Sequence, residues 1–500
     1  MRPNPIPTLT HWGLPPLLGA ISVFGFAPFG LFPLPILALA ALHVLLRDDS
    51  PARAGVRGGL FGLGGFLAGV SWVYVSLHEF GQMPAALAVF ATLAFCAYLA
   101  LFPALALALT RLPNLTASVR GLVWAPALWA SLEWLRGTLF TGFPWQSIGY
   151  SQVPDSPLAG YAPILGVYGV SWLAALSAAM LALLFMPGRT RLGRSGLIGA
   201  LLAIWVAGAA LQNVGWIRPT GAPVSVTLLQ GNVAQELKFE PDHLIATLDD
   251  YQRMILDSRA RLIVTPETAL PLFLEHIPPD YLDILARHGR ANGGDVLVGL
   301  PIREPDGRYY NSMLSLGSGP VQTYAKVHLV PFGEFVPWGF GWIVDYLKIP
   351  LSDFSAGAPD QAPMAVAGQQ VALNICYEDV FGEELIHALP EATLMVNVSN
   401  DAWFGQSAAP WQHLQISQMR ALETGRWWLR ANNTGITAIL DEKGRVRDLL
   451  PPFVQASLHG EAQGMAGLTP YARWGNAAIL TLLALSLVLA LGARRRVSTV

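Results

Sequence analysis

The sequence predicts a multi-pass α-helical membrane domain of about eight transmembrane helices, joined to a large α/β layered domain that precedes the last span. Three observations carry this reading. Of 500 residues, 53% are hydrophobic and only 13% charged, about half the charge of an average soluble domain, and the mean hydropathy is +0.43. Apolar runs of about 20 residues, the length that crosses a hydrocarbon core, recur through the N-terminal part and once near the end. Between residues 220 and 465 the pattern changes to short apolar strands alternating with amphipathic helices, the order from which layered α/β domains are built.

The apolar runs cover residues 13–29, 31–46, 58–77, 84–109, 121–136, 163–186, 196–215 and 472–493. Only Pro28, Phe29 and Gly30 separate the first two, so one re-entrant hairpin is an alternative there. Helices are the default for such runs, because the bilayer offers the backbone no hydrogen-bond partners. No small-residue cleavage site follows the first run, and a signal peptide is not expected. Arginines mark alternate loops: Arg2; Arg47, Arg53 and Arg57; Arg111 and Arg120; Arg189, Arg191 and Arg194; Arg494, Arg495 and Arg496. The loops 78–83 and 138–162 contain no Lys or Arg. By the positive-inside rule both termini are cytoplasmic, and the polar region lies on the extracytoplasmic side. The expected domains are a seven-helix membrane domain (1–220), a catalytic domain (221–465) and a final helix with a basic tail (466–500). Glu133 and Arg136, at the end of the fifth run, are either a structural pair or a headgroup contact. The aromatic stretch Phe140–Trp145 fits an interfacial belt.

The net charge of −2 and the lack of a basic patch exclude nucleic-acid binding. Of the two cysteines, Cys96 lies in an apolar run and Cys376 in the polar region, so no intramolecular disulfide is expected. The ten histidines are scattered without metal-type spacing, so no metal or other cofactor is expected.

In the polar region, strands are expected at 224–230, 261–265, 295–300, 309–316, 321–329, 371–376, 394–398, 436–440 and 445–448. Helices are expected at 241–259, 280–290, 382–388 and 411–430. The strand at 371–375 ends on Cys376, Tyr377, Glu378 and Asp379. A thiol at a strand end beside carboxylates can serve as a nucleophile, although a lone cysteine also reads as a buried structural residue. Glu267, just after the strand at 261–265, and Lys326, within the strand at 321–329, change that balance. A carboxylate base, an amine that can hold an oxyanion and a thiol make a complete acyl-transfer set.

Pro266-Glu267-Thr268, the stretch Lys326–Pro337, Cys376-Tyr377-Glu378 and the stretch Asn397–Gly405 resemble the motifs of the nitrilase superfamily. With Phe140–Trp145 and the spans, they look more narrowly like the apolipoprotein N-acyltransferase family, over nearly the whole chain. The resemblance implies a nitrilase-like αββα sandwich carrying a Glu267–Lys326–Cys376 triad. It also implies transfer of an acyl chain from a membrane phospholipid, through a Cys376 thioester, to the α-amine of an N-terminal diacylglyceryl-cysteine. The place of action would be the periplasmic side of the bacterial cytoplasmic (inner) membrane, and the enzyme a monomer without metal. Glu334 corresponds to the family's second essential glutamate, orienting Lys326 or the incoming amine. Tyr377 packs beside the thioester. Glu378 tunes local charge or caps the backbone, and both readings stand. Asn311 is a polar contact near the site or an ordinary hairpin residue. Phe239 occupies a position where the family pattern has tryptophan, keeping an apolar face but losing the indole N–H. The aromatic stretch Phe335–Pro350, with Trp338 and Trp342, reads as a membrane-dipping lid, and Leu270–Leu274 as a second arm. Two competing functions remain at this stage: a membrane-tethered amidase with water as second nucleophile, and a receptor or transporter with an inactive domain.

Overall fold

Each of the eight apolar runs contains a helix in the computed structural model, which describes residues 8–238, 240–336 and 353–493. These are Thr8–Ser22, Pro33–Leu45, Pro51–Val70, Ala85–Leu109, Ala125–Arg136, Ala162–Leu184, Arg191–Leu211 and Ala477–Gly492. Three helical stretches, Ala85–Leu109, Pro157–Leu184 and Arg191–Leu211, are long and apolar enough to cross a bilayer. Pro51–Val70 and Val73–Phe80 add a fourth if the 57° bend between them is taken within one span. Trp12–Gly25, Pro33–Leu45 and Ala477–Gly492 are shorter apolar helices. The starts follow the local chemistry. Ser50 accepts from Arg53 N with Pro51 at the first turn, and Thr190 accepts from Gly193 N at 3.1 Å, each satisfying an otherwise orphaned donor. The first and third helices approach closely because of glycine: a Cβ on Gly64 would lie 2.1 Å from the Pro16 carbonyl oxygen.

The chain divides into two compact units, one of Met1–Tyr74, Ala85–Val214 and Trp474–Val500, the other of Val75–Pro84 and Gly215–Arg473. In the first, Glu133 and Arg136 are both buried. Glu133 accepts from Trp129 Nε1 at 3.0 Å and Ile148 N at 2.9 Å. Arg136 donates to the carbonyls of Phe143 and Trp145 at 2.5 and 2.7 Å. Each side chain is held by its own neighbours, Glu133 by Trp129 and Ile148 and the Arg136 guanidinium by the backbone of the aromatic stretch.

The second unit contains β1 (Arg218–Pro219), β2 (Val224–Gln230), β3 (Leu262–Val264), β4 (Asp295–Arg303), β5 (Tyr309–Gly317), β6 (Thr323–Ala325) and β7 (Met364–Val366). It continues with β8 (Gln369–Ile375), β9 (Leu394–Ser399), β10 (Trp428–Asn432), β11 (Thr437–Leu440), β12 (Val446–Leu450), β13 (Ala456–Ala462) and β14 (Met465–Ala466). Two six-stranded sheets run β13-β2-β3-β4-β5-β6 and β12-β11-β10-β9-β8-β7, while β1 pairs with β14. The central trios β2-β3-β4 and β8-β9-β10 are parallel. Such strands are buried on both faces, which is why they read as continuous apolar runs. Val226, Leu228, Val264 and Leu297 of one sheet share a core with Leu373, Ile375, Val396 and Leu429 of the other. Outside the first sheet, Tyr251 and Ile255 of Pro241–Asp257 and Leu285 of Pro279–Ala291 pack on Ile263 and Val298. Outside the second, Leu414 and Ala421 of Ala409–Thr424 pack on Met395 and Trp428. The layers are therefore helix, sheet, sheet, helix, the αββα order expected.

Some expectations fail locally. The long helix at 411–430 stops at Thr424, because Gly425 takes a left-handed φ of 65° as its cap, and Trp428–Asn432 is a strand paired with β9. The strand at 321–329 shrinks to Thr323–Ala325: Lys326 N still reaches the Asn311 carbonyl of β5, but the N–H groups of Val327 and His328 bond to the Glu378 carboxylate. β7 and β13 were not expected at all. Leu270–Leu274 is no free arm: Leu270 is fully buried, Leu272 and Leu274 pack on the core, and Arg303 lies 4.0 Å over the Phe273 ring. Phe239, Trp338 and Trp342 lie outside the described residues.

Candidate active site

Strand ends bring the site together. Glu267 follows β3, Asn311 lies on β5, Lys326 follows β6, and Cys376 ends β8. Lys326 is 1% exposed, and its Nζ lies 2.7 Å from Glu334 Oε2 and 3.5 Å from Glu267 Oε1. Burial opposes its charge, but the two glutamates outweigh burial and raise its pKa above the ordinary lysine range. Asn311 bridges the same carboxylates, donating from Nδ2 to Glu267 Oε1 at 2.7 Å and to Glu334 Oε1 at 2.9 Å. Glu334 also accepts from Val330 N at 2.9 Å, fixing the turn that carries it. Both glutamates are thus held by an amide and an ammonium, Glu267 through Oε1 alone and Glu334 with one oxygen turned to each.

Cys376 opens a 3₁₀ turn, Cys376–Val380, with φ at 56°. A non-glycine residue there carries about 1 kcal/mol of strain, which the surrounding contacts must offset. Asn397 donates to the Cys376 carbonyl at 3.1 Å and to Asn374 Oδ1 at 2.6 Å, pinning the strand end. Burial raises the thiol pKa well above its usual range and the Glu267 charge adds to that, while Lys326 opposes both. The resting sulfur is therefore a neutral thiol, and its proton must leave as the attack begins.

Glu378 makes the backbone contacts that one of the two readings above expects, while its charge also acts on Lys326. Its Oε1 accepts from Val327 N at 2.6 Å and His328 N at 3.1 Å. Its Oε2 accepts from Ile375 N at 2.6 Å and Tyr324 OH at 3.0 Å. One buried carboxylate caps the nucleophile strand and ties the lysine loop to it, which is a backbone role. Burial raises its pKa to about 7 despite those donors. The Tyr377 ring packs on Phe381 and His328, at centroid distances of 5.2 and 5.9 Å.

Residues 18–180 match the apolipoprotein N-acyltransferase N-terminal domain, and residues 225–455 match the carbon-nitrogen hydrolase family. The Apolipoprotein N-acyltransferase of Nitrosomonas europaea is 55% identical over 475 residues, covering 94% of this chain and 95% of its own. The chain belongs to the apolipoprotein N-acyltransferase family. The Chromobacterium violaceum relative of the same name is 48% identical over 488 residues, 96% of this chain and 93% of its own. Among solved structures, an amidase from Nesterenkonia sp. aligns at 19% identity and a TM-score of 0.37, over 53% of this chain and 97% of its own.

This family member joins four of the residues singled out from sequence, Glu267, Asn311, Lys326 and Glu334, in one cluster whose charges act on the Cys376 thiol, and holds Tyr377 and Glu378 on the turn that Cys376 opens. Sequence reasoning missed Lys238, whose Nζ donates to the Glu267 carbonyl oxygen at 3.3 Å. It also missed a buried quartet behind the nucleophile turn. His413 sits between Asp379 Oδ1 (2.9 Å) and Asp401 Oδ1 (3.0 Å). Arg430 reaches the other oxygens of the same pair, at 3.2 and 3.1 Å. Burial and Arg430 lower the His413 pKa, but the two aspartates outweigh them and raise it. The quartet thus sets the Arg430 guanidinium and a more tightly held His413 proton beside two aspartates. Arg430 also donates to Asn397 Oδ1 at 3.0 Å, joining the quartet to the residue that pins Cys376. The signal for these groups was polarity inside runs otherwise read as buried.

Proposed function

We propose that the chain N-acylates lipoproteins by a two-step transfer through Cys376, with a membrane phospholipid as acyl donor and the α-amine of a diacylated N-terminal cysteine as acceptor. The observation that carries this reading is the Lys326 ammonium held between Glu267 and Glu334, their charges acting on the Cys376 thiol, in a chain of this family.

Glu267 takes the thiol proton as sulfur attacks the ester carbonyl; the C–S bond forms and the carbonyl electron pair moves to oxygen. The Lys326 ammonium and the Tyr377 main-chain N–H hold that oxyanion, and losing one such donor typically costs about 3–4 kcal/mol. Collapse breaks the C–O bond, and protonated Glu267 returns its proton to the departing lysophospholipid oxygen. In the second step the α-amine attacks the thioester and Glu267 accepts its proton. The C–N bond forms, the C–S bond breaks, and Glu267 reprotonates the sulfur. Two half-reactions through one covalent enzyme form give ping-pong kinetics. Glu334 holds Lys326 charged and aimed. The reading includes eight spans, cytoplasmic termini, a catalytic unit at the outer face of the inner membrane and a monomeric enzyme; the arginine pattern supports the orientation.

The test is intact mass of protein purified from membranes. A fatty-acyl adduct on Cys376, released by hydroxylamine and absent in Cys376→Ala, is expected. With a diacylated peptide the product should be N-acyl peptide, and Lys326→Met should slow adduct formation about 100- to 1,000-fold. Transfer that persists in Cys376→Ala sinks the proposal, and free fatty acid as the sole product assigns water as the second nucleophile.

A further inference from the structure

Among the described residues, a second buried ammonium sits at the site without a direct carboxylate partner. Lys238 is 5% exposed, and the partner of its Nζ is the Glu267 main-chain oxygen at 3.3 Å. Three N–H donors against one long contact is a poor return for removing an ammonium from water. A methionine would fill the same space without that cost.

The charge count explains the lysine. Glu267 and Glu334 carry two negative charges, and Lys326 alone leaves the cluster one positive charge short. Lys238 supplies it, and the sum stays at zero when the proton moves from Cys376 to Glu267. Lys326 is committed to both glutamates, whereas the Lys238 charge acts on Glu267 and on the thiol. We propose that Lys238 is a positioning residue for the nucleophile: its charge, placed through the Glu267 backbone, stabilises the Cys376 thiolate as its proton leaves. This rests on the acyl-transfer reading for its purpose, but its electrostatic effect is measurable without any acyl donor.

The groups that face Lys238 are Glu267 after β3 and Cys376 at the end of β8, with Lys326 and Glu334 beyond them. Burial lowers the Lys238 pKa to about 8 against the pull of Glu267 and Cys376. The ammonium is therefore lost as pH rises through that value, and the help it gives the thiolate goes with it.

The experiment is the pH dependence of Cys376 alkylation by iodoacetamide in the full-length protein, read by intact mass in a Cys96→Ala background. Lys238→Met should slow alkylation at pH 7 about tenfold, and the two profiles should converge above pH about 8, where wild type has lost the same charge. Lys238→Arg keeps the charge and should stay within about threefold of wild type. Acyl-enzyme formation by wild type should decline above pH about 8, and that limb should vanish in Lys238→Arg. Alkylation in Lys238→Met with an unshifted profile, or an alkaline limb that survives in Lys238→Arg, overturns the proposal. Should Lys238→Met not fold, the wild-type and Arg profiles still decide. A shifted alkylation profile without any acyl adduct would uphold Lys238 and defeat the acyl-transfer reading, so the two failures are distinct.

Discussion

Asn311 holds two carboxylates with one amide, and its orientation follows from its neighbours. Both Nδ2 protons are used on Glu267 and Glu334, and Oδ1 is left buried without a partner. Reversing the amide would set a lone pair against two carboxylates. Hydrogen bonds to charged groups contribute about 1.5–3 kcal/mol each, so Asn311→Leu should slow acyl-enzyme formation by at least about tenfold in single-turnover assays. Asn311→Asp should be worse, because a third carboxylate beside two others forces a proton onto the cluster. An unchanged Asn311→Leu would assign the residue to the hairpin alone. At this scale Glu267, Lys326, Glu334 and Cys376 were legible because they lie in motifs with a family resemblance, and Asn311 only as one of two readings of a hairpin residue. Lys238 was not: a lysine between Leu237 and Phe239 reads as a solvated turn, and only the fold shows it buried against Glu267.

The turn Cys376–Val380 is held at both ends by charge. Glu378 caps β8 and draws in the lysine loop, and Asp379 enters the quartet with His413, Asp401 and Arg430. Removing Arg430 would leave two buried carboxylates against one imidazolium, a loss of about 3–5 kcal/mol. The raised His413 pKa sets a sign for stability against pH. In the unfolded chain it titrates near its ordinary value of 6.5. The folded state binds that proton more tightly, so the stabilisation is complete below pH 6.5 and is lost as pH rises through the higher folded value. Thermal unfolding from pH 6 to 9 should show a steeper decline in wild type than in His413→Gln, which keeps only the share of Glu378 up to pH about 7; parallel profiles would remove His413 from the account. The elements themselves were mostly legible, since apolar strands and amphipathic helices keep their periods. The miss at Trp428–Asn432 came from reading helix through Gly425, a glycine whose left-handed φ ends the helix. Buried polar residues in β10, Arg430 and Asn432, also disguised a central strand.

Over the whole chain, the helical stretches were readable from hydropathy and the layered unit from alternation, because each follows a single period. The pairing of strands far apart in sequence was not, since β13 meets β2 across more than two hundred residues and no local pattern encodes that. Orientation rests on arginine placement and is open to direct labelling. With Cys96 and Cys376 replaced by alanine, Asp306→Cys should react with a membrane-impermeant maleimide in intact spheroplasts. Arg194→Cys should react only after lysis. The opposite pattern would invert the topology.

The strands β1 and β14 pair antiparallel, with Arg218 beside Ala466. The Gly215–Arg473 stretch therefore begins and ends at one narrow doorway, its two passing strands about 5 Å apart. From the preceding helix, some 250 intervening residues resemble a short hairpin loop, a closure whose entropy grows only slowly with length. A variant with residues 219–465 exchanged for a few glycines and serines should still insert into membranes with its termini on the same side, as protease protection would report. Loss of insertion would mean that the helices need the cargo they carry.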